Sequence, residues 1–306
     1  MTVAAVVGLG TMGAGIAAVM ARGGLSVRAF DIEPAAVERA RGELPAIAGL
    51  LDRLGLPAKG DAMAVAFAGS LKEAVEGADL VLENVPERLE LKLEVFRQLD
   101  ALTTPDCVLA SDTSGIPITK LQAVVSNPQR VVGMHWSNPP HLIPMIEVVA
   151  GELTGAATRD WMVALIRALG LLPVTVKKDV PGFVENRVLY AIMREALDLV
   201  EQGVIEPEDL DTCVSWGIGY KLAIVGPMAL LDMAGLDIYQ SVASYLNPEL
   251  SRRQDVPPVI AERTAAGRLG LKTGGGLFDY APEDLQSLRA RRAQRFVAVR
   301  KALEEG

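Results

Sequence analysis

The sequence predicts an α/β protein: a doubly wound, mostly parallel sheet in the N-terminal part, followed by an all-helical C-terminal domain. Three observations carry that expectation. Short apolar runs of strand length alternate with helical patterns from the N-terminus onward. A glycine-rich turn joins the first run to the first helical pattern. Strand signals then fade after about Val176, and the remaining segments read as helices.

In order, Val3–Val7 is a compact apolar strand and Thr11–Arg22 has helical spacing. Ser26–Asp31 reads as a second strand and Pro34–Leu54 as a helix opened by proline. Leu80–Glu83, Val108–Ala110, Arg130–His135 and Ile143–Val149 are further strands. Leu89–Leu102 and Thr158–Leu169 are helices among them. Pro181 and Gly182 interrupt the pattern and set a domain boundary, giving residues 1–180 and 181–306. Beyond it, Val184, Val188, Ile192, Ala196 and Val200 form one helical stripe that stops at Gly203. Pro207–Val214 and Met228–Leu236 are shorter helices, and Pro282–Glu304 is a charged, solvated one.

Composition narrows the function classes. The chain has 306 residues, half of them apolar, with 30 basic and 38 acidic side chains for a net charge of −8. That balance argues against nucleic acid or an anionic membrane as partner. Apolar runs are too short to span a bilayer, and the N-terminus lacks the basic start of a signal peptide. Two cysteines, Cys107 and Cys213, and two histidines, His135 and His141, are too few for a disulfide framework or a metal site. A reducing, cytoplasmic setting is expected.

Gly8-Leu9-Gly10-Thr11-Met12-Gly13 is a GxGxxG that closes a strand and opens a helix. In that context Gly8 permits the tight turn, Gly10 lets a pyrophosphate approach the backbone, and Gly13 lets helix and strand pack closely. Thr11 and Met12 lie in the same phosphate-facing turn. Asp31 follows 18 residues after Gly13, at the end of the second strand. A carboxylate there accepts hydrogen bonds from ribose and repels a 2′-phosphate, so the Rossmann-type reading favours NAD over NADP. Arg28 precedes the strand end and is expected to point elsewhere.

The ordered series GLGTMGAGIA, ENVPERLELK, SDTSGIPIT, GMHWSNP…IEVV, PGFVENR and GLKTGGGLFDY resembles the 3-hydroxyacyl-CoA dehydrogenase family over nearly the whole chain. The resemblance implies an NAD-binding domain followed by a helical domain that forms a homodimer and helps bind a small-molecule substrate. It places the family's catalytic histidine on His135 and its partner glutamate on Glu147. It places the substrate-contacting serine and asparagine on Ser114 and Asn186, and cofactor-contacting residues on Glu87 and Lys92. The chemistry agrees with those roles. Removing a proton from oxygen as hydride leaves carbon suits a histidine titrating near neutrality, with a carboxylate fixing its far ring nitrogen. The link Asn138-Pro139-Pro140 supports a chain reversal between the two strands. Neither cysteine looks activated: Cys107 falls inside an apolar strand and Cys213 on a helix.

Two segments depart from the family pattern. HWSNPPH stands where HFFNP is usual, and Tyr220-Lys221-Leu222-Ala223-Ile224-Val225-Gly226-Pro227 replaces the usual PMGP stretch. Ser137 thereby brings a hydroxyl and Lys221 a charge; Lys221, in the altered loop, and Arg187 are candidates to pair with a substrate carboxylate. The changed segments are similar to a narrower branch that oxidises a carboxylated pyridine aldehyde in vitamin B6 degradation. The stretch Gly55–Ala68 offers only Lys59 to an anionic nucleotide tail, which leans away from coenzyme A. An L-3-hydroxyacyl-CoA dehydrogenase, a carnitine-type 3-hydroxy acid dehydrogenase and a non-catalytic NAD-binding protein stand as alternatives. The set His135, Glu147, Ser114 and Asn186 argues against the last.

Overall fold

The computed structural model describes residues 1–55 and 58–304. Contacts divide these into two compact units. The first is Met1–Asn186 together with Phe296–Arg300; the second is Arg187–Arg295 together with the chain after Arg300.

The first unit is built on one eight-stranded sheet. Its strands are β1 (Val3–Val7), β2 (Ser26–Phe30), β3 (Val65–Phe67), β4 (Leu80–Glu83), β5 (Val108–Ser111), β6 (Val131–Trp136), β7 (Met145–Val149) and β8 (Leu172–Val176). The spatial order is β3-β2-β1-β4-β5-β6-β7-β8. Neighbours from β3 through β6 run parallel. β7 is antiparallel to β6, and β8 is parallel to β7. The helices are α1 (Gly13–Arg22), α2 (Pro34–Leu54), α3 (Leu71–Val75), α4 (Leu89–Leu102), α5 (Ile118–Gln122) and α6 (Ala156–Ala168).

The central strands are continuous apolar runs because both faces are covered; β4 and β5 are buried at every position. The core beneath them gathers Val81, Phe96, Leu99, Leu109, Leu121 and Val149. The order reverses at β1, which lies between β2 and β4. That switch point places a crevice at the carboxyl ends of β1 and β4, where the glycine turn sits.

Four elements of this unit escape the sequence pattern. β3 has three residues and α3 and α5 five each, too few for a period to register. β8 contains Pro173, which the ladder tolerates because β8 is the sheet edge. Its presence moves β7 into the sheet interior. Boundaries also shift: α1 begins at Gly13 rather than Thr11, β7 at Met145 rather than Ile143, and β2 stops one residue before Asp31.

The second unit is helical: most of α7 (Glu185–Glu201), then α8 (Pro207–Thr212), a π-helical stretch Cys213–Gly219, α9 (Tyr220–Ile224), α10 (Pro227–Ala234), α11 (Leu236–Leu246), α12 (Pro258–Ala265) and most of α13 (Pro282–Glu304). The segment around Lys221, read from sequence as a loop, is therefore helix. Cys213 opens the π-helical stretch. None of α7 to α12 buries a residue, and Trp216, Met228 and Met233 are 74, 70 and 72% exposed. In α13, Val297 and Arg300 are buried, so that helix is not solvated throughout. Among the described residues no single helix is long and apolar enough to cross a membrane.

Candidate active site

The glycine turn is shaped by what surrounds each glycine. Gly8 has φ +105°, and a Cβ there would lie 2.4 Å from the Asn84 carbonyl oxygen. At Gly13 an added Cβ would lie 2.3 Å from the Gly8 carbonyl oxygen. At Gly10 it would meet nothing within 4 Å. Two glycines therefore serve packing, while the middle one keeps open space beside the N-terminus of α1, whose orphan N–H groups suit a phosphate. Asp31 ties this turn to β2: its carboxylate accepts from Leu9 N at 2.6 Å and from Glu33 N at 2.8 Å. Arg28 is turned away and donates to the carbonyls of Glu73 and Glu76.

Glu87 and Lys92 belong to a second polar layer at the ends of β4 and β5. Lys92 is 1% exposed, and its ammonium meets Glu83 Oε1 at 2.8 Å, the Val85 carbonyl at 3.1 Å and Glu87 Oε2 at 3.5 Å. Glu83, fully buried, also accepts from Ser111 Oγ. Glu87 Oε1 accepts from Thr113 Oγ1 and from the backbone N–H groups of Ser114 and Gly115. Lys92 is thus an internal counter-charge behind Glu87, and Glu87 shapes the turn that carries Ser114.

His135 and Glu147 are direct register partners across the antiparallel pair β6–β7. Adjacent residues of such a pair project to the same face, which is why a spacing of 12 residues brings the two side chains together. His135 Nδ1 lies 2.8 Å from Glu147 Oε2, with the side chains 6 and 1% exposed. The other carboxylate oxygen, Oε1, accepts from Val184 N at 3.0 Å and Glu185 N at 3.1 Å. Gly182 and Phe183, at φ +78° and +48°, turn the chain where the N–H groups of Val184 and Glu185, leading into α7, aim at Glu147. A non-glycine residue in the left-handed region holds only where packing fixes it. Phe183 is fully buried, its ring 5.7 Å from the His135 ring in an edge-on arrangement.

These contacts set the charges. Burial, the largest influence on Glu147, raises its carboxyl, but the His135 bond and the N–H groups of Val184 and Glu185 outweigh it and hold Glu147 below the usual range. For His135 burial acts downward. The Glu147 bond and the charges of Asp112, Glu147 and Glu185 outweigh it and hold the imidazole above its ordinary value. Nε2 carries no hydrogen bond to the described residues, so the ring presents one nitrogen to a reactant while Glu147 fixes the other.

Ser114 and Asn186 are brought together: Asn186 Nδ2 donates to the Ser114 carbonyl at 3.0 Å. Ser137 is 4% exposed and donates its hydroxyl to Glu185. Lys221 and Arg187 belong to the second unit. Lys59 donates to the Ala168 carbonyl at 2.6 Å. Cys107 is buried just before β5, not within it, and burial pushes its thiol up to about 11; His141 is held below its ordinary value by burial.

Two functional groups escape sequence reasoning. Asp112 is 8% exposed and accepts Trp136 N at 2.7 Å; burial pushes its carboxyl up to about 7, against the Trp136 N–H and the charges of His135 and Lys92. Glu185 is the other. Both stand beside residues already singled out, Ser114 and Asn186, and a charge adjoining a site motif was the available signal.

A dinucleotide turn, a buried His–Glu pair and a ring nitrogen with no hydrogen bond to the described residues define a nicotinamide-dependent dehydrogenase. Residues 3–180 match the family described as 3-hydroxyacyl-CoA dehydrogenase, NAD binding domain, and residues 182–280 match its C-terminal domain. The chain belongs to the 3-hydroxyacyl-CoA dehydrogenase family and is an NAD-dependent dehydrogenase. It is 62% identical over 302 residues to 5-formyl-3-hydroxy-2-methylpyridine 4-carboxylate 5-dehydrogenase of Mesorhizobium japonicum, covering 98% of this chain and 97% of that one. A probable 3-hydroxybutyryl-CoA dehydrogenase of Bacillus subtilis is 38% identical, covering 90 and 96%. The crystal structure of a 5-formyl-3-hydroxy-2-methylpyridine 4-carboxylic acid 5-dehydrogenase, described as an NAD+ dependent dismutase, superposes with a TM-score of 0.96 at 60% identity, covering 99% of each chain. That of (S)-3-hydroxybutyryl-CoA dehydrogenase from Ralstonia eutropha gives 0.73 at 35%, covering 92 and 99%.

Proposed function

We propose that this enzyme oxidises the 5-formyl group of 5-formyl-3-hydroxy-2-methylpyridine 4-carboxylate to the carboxylate, a step of vitamin B6 degradation. The carrying observation is the nearly full-length 62% identity to a dehydrogenase named for that substrate, against 38% for an acyl-CoA relative. The site supports it with Ser137 and Glu185 in the wall beside His135, a polar lining that suits a charged ring better than an alkyl thioester.

The glycine turn fits NAD, because Gly10 leaves room for a backbone-bound pyrophosphate and Asp31 stands at the ribose end. Bound NAD supplies the hydride acceptor. The protein's own part is proton transfer and orientation. His135 Nε2 takes the proton of a water as it adds to the aldehyde carbon, and Glu147 holds the resulting imidazolium through Nδ1. Ser114 and Asn186 hold the substrate oxygen, and Lys221 and Arg187 are candidates for its carboxylate. The decisive experiment follows NADH formation with the pyridine aldehyde and with L-3-hydroxybutyryl-CoA in parallel. Turnover of the aldehyde alone supports the reading; turnover of the CoA ester alone overturns it.

The working form is a homodimer in the cytoplasm. Helices α7 to α12 bury none of their own apolar residues, which a second copy of the chain would cover. The unbridged Cys107 and Cys213 suit a reducing compartment. Sedimentation equilibrium should return twice the chain mass, and a monomer at micromolar concentration would overturn the dimer.

A further inference from the structure

His135 faces three carboxylates, not one. Glu147 reaches it from β7, Asp112 from the end of β5, and Glu185 from the first turn of α7. Glu83 on β4 and Lys92 on α4 act in turn on Asp112. A ring nitrogen of His135 and one carboxylate oxygen each from Glu147 and Glu185 lie within 4.8 Å of one another.

The two glutamates differ in what they have left to give. Both Glu147 oxygens are committed, one to His135 and one to two backbone N–H groups. Glu185 accepts the Ser137 hydroxyl on one oxygen, and no lysine or arginine pairs with it among the described residues. Its carboxylate stands at the N-terminal end of a 17-residue helix. The buried Ser137 hydroxyl fixes where that charge stands.

We propose that Glu185 is a positioning residue: steered by Ser137, its carboxylate places a second negative charge beside His135 and keeps there the proton taken from the substrate, so that the same histidine can return it. This deepens the aldehyde reading and rests on it for the use to which the proton is put. In an aldehyde dismutation, two aldehydes and one water give one carboxylic acid and one primary alcohol, with no net change in electrons. In the oxidation the proton passes to His135 Nε2 from the water that adds to the aldehyde carbon. In the reduction it leaves Nε2 for the alkoxide oxygen of the second aldehyde. A proton lost to solvent between the two halves would have to be recovered before the second could run. The raised basicity of His135 accords with this, since Glu185 is one of the charges that produce it.

The chain has only two histidines, so the test can be read directly. Ring signals of the histidine-labelled protein, without NAD or substrate, are followed against pH by NMR, and His141→Gln identifies the signal of His141. Glu185→Gln keeps the shape and still accepts from Ser137. It should lower the His135 midpoint by about one pH unit, the effect of a unit charge at roughly 5 Å in a medium between protein and water, and leave His141 in place. In turnover, the acid limb of the pH profile should move down with it, and aldehyde reduction should suffer more than oxidation. An unmoved His135 midpoint in a Glu185→Gln protein whose remaining spectrum matches wild type overturns the proposal. If that variant loses spectral dispersion, Ser137→Ala decides, because releasing the carboxylate should move His135 the same way; an unmoved midpoint there counts equally against it. Because neither ligand is in the sample, a wrong substrate would leave this measurement untouched.

Discussion

Replacing Asp112 by asparagine should stabilise the protein at neutral and alkaline pH. The side chain is 8% exposed, and its one hydrogen bond in the structure, from Trp136 N, asks only for an acceptor that an amide oxygen also provides. Burial raises the carboxyl from 3.8 to about 7. Below pH 4 the folded and unfolded chains both hold the proton, and the group contributes its full share to stability. Between about 4 and 7 the unfolded chain releases it while the folded chain retains it, so rising pH favours unfolding. Above 7 the folded chain carries a buried charge and that share is gone. A difference of about three pH units corresponds to ~4 kcal/mol, at about 1.4 kcal/mol per unit. Thermal unfolding of wild type and Asp112→Asn from pH 4 to 9 measures it. The stability gained by the variant should grow through pH 4–7 and level off above, with a rise in Tm of several degrees at pH 8. A gain independent of pH, or one that shrinks as pH rises, would refute the argument that burial of this carboxyl governs it.

Other substitutions separate the roles of the site. His135→Ala should lower turnover by about 10²–10⁴-fold while NADH still binds, as read from nicotinamide fluorescence; parallel loss of binding would mean a structural role. Asp31→Ser should reduce the preference for NAD over NADP by about tenfold through loss of charge repulsion, and an unchanged ratio of kcat/KM values would remove Asp31 from cofactor choice. Gly13→Ala drives a Cβ to 2.3 Å from the Gly8 carbonyl oxygen and should cost about 1–3 kcal/mol of stability. Gly10→Ala meets no protein atom and should weaken NAD binding with stability nearly intact; exchange of these two behaviours would contradict the division of labour in the turn.

Much of this protein was legible in its sequence because the signals are local. A strand, a GxGxxG turn and a helix occupy consecutive residues, and an acid at the next strand end follows by fixed chain geometry, so Gly8, Gly10, Gly13 and Asp31 could be placed without coordinates. The alternation that identifies a parallel sheet is likewise read along the chain. The pairing of His135 with Glu147 was half legible: both motifs stand in the sequence, but the antiparallel register that faces them is a property of β6 and β7 together. β8 was not legible, since Pro173 argues against a strand and only an edge position admits it.

What the tertiary structure alone decided is the electrostatics around His135. Asp112, Glu147 and Glu185 are separated by 35 and 38 residues and converge from the end of β5, the middle of β7 and a helix start, and nothing in the spacing of three acids predicts that they share one imidazole. It also decided that Lys92 turns inward to Glu83 rather than standing free, and that α7 to α12 carry apolar faces with no core of their own. A motif records the residue types a site needs. The charge each residue carries depends on how much water its neighbours exclude and which donors they aim at it, and those neighbours are brought together only when the chain folds.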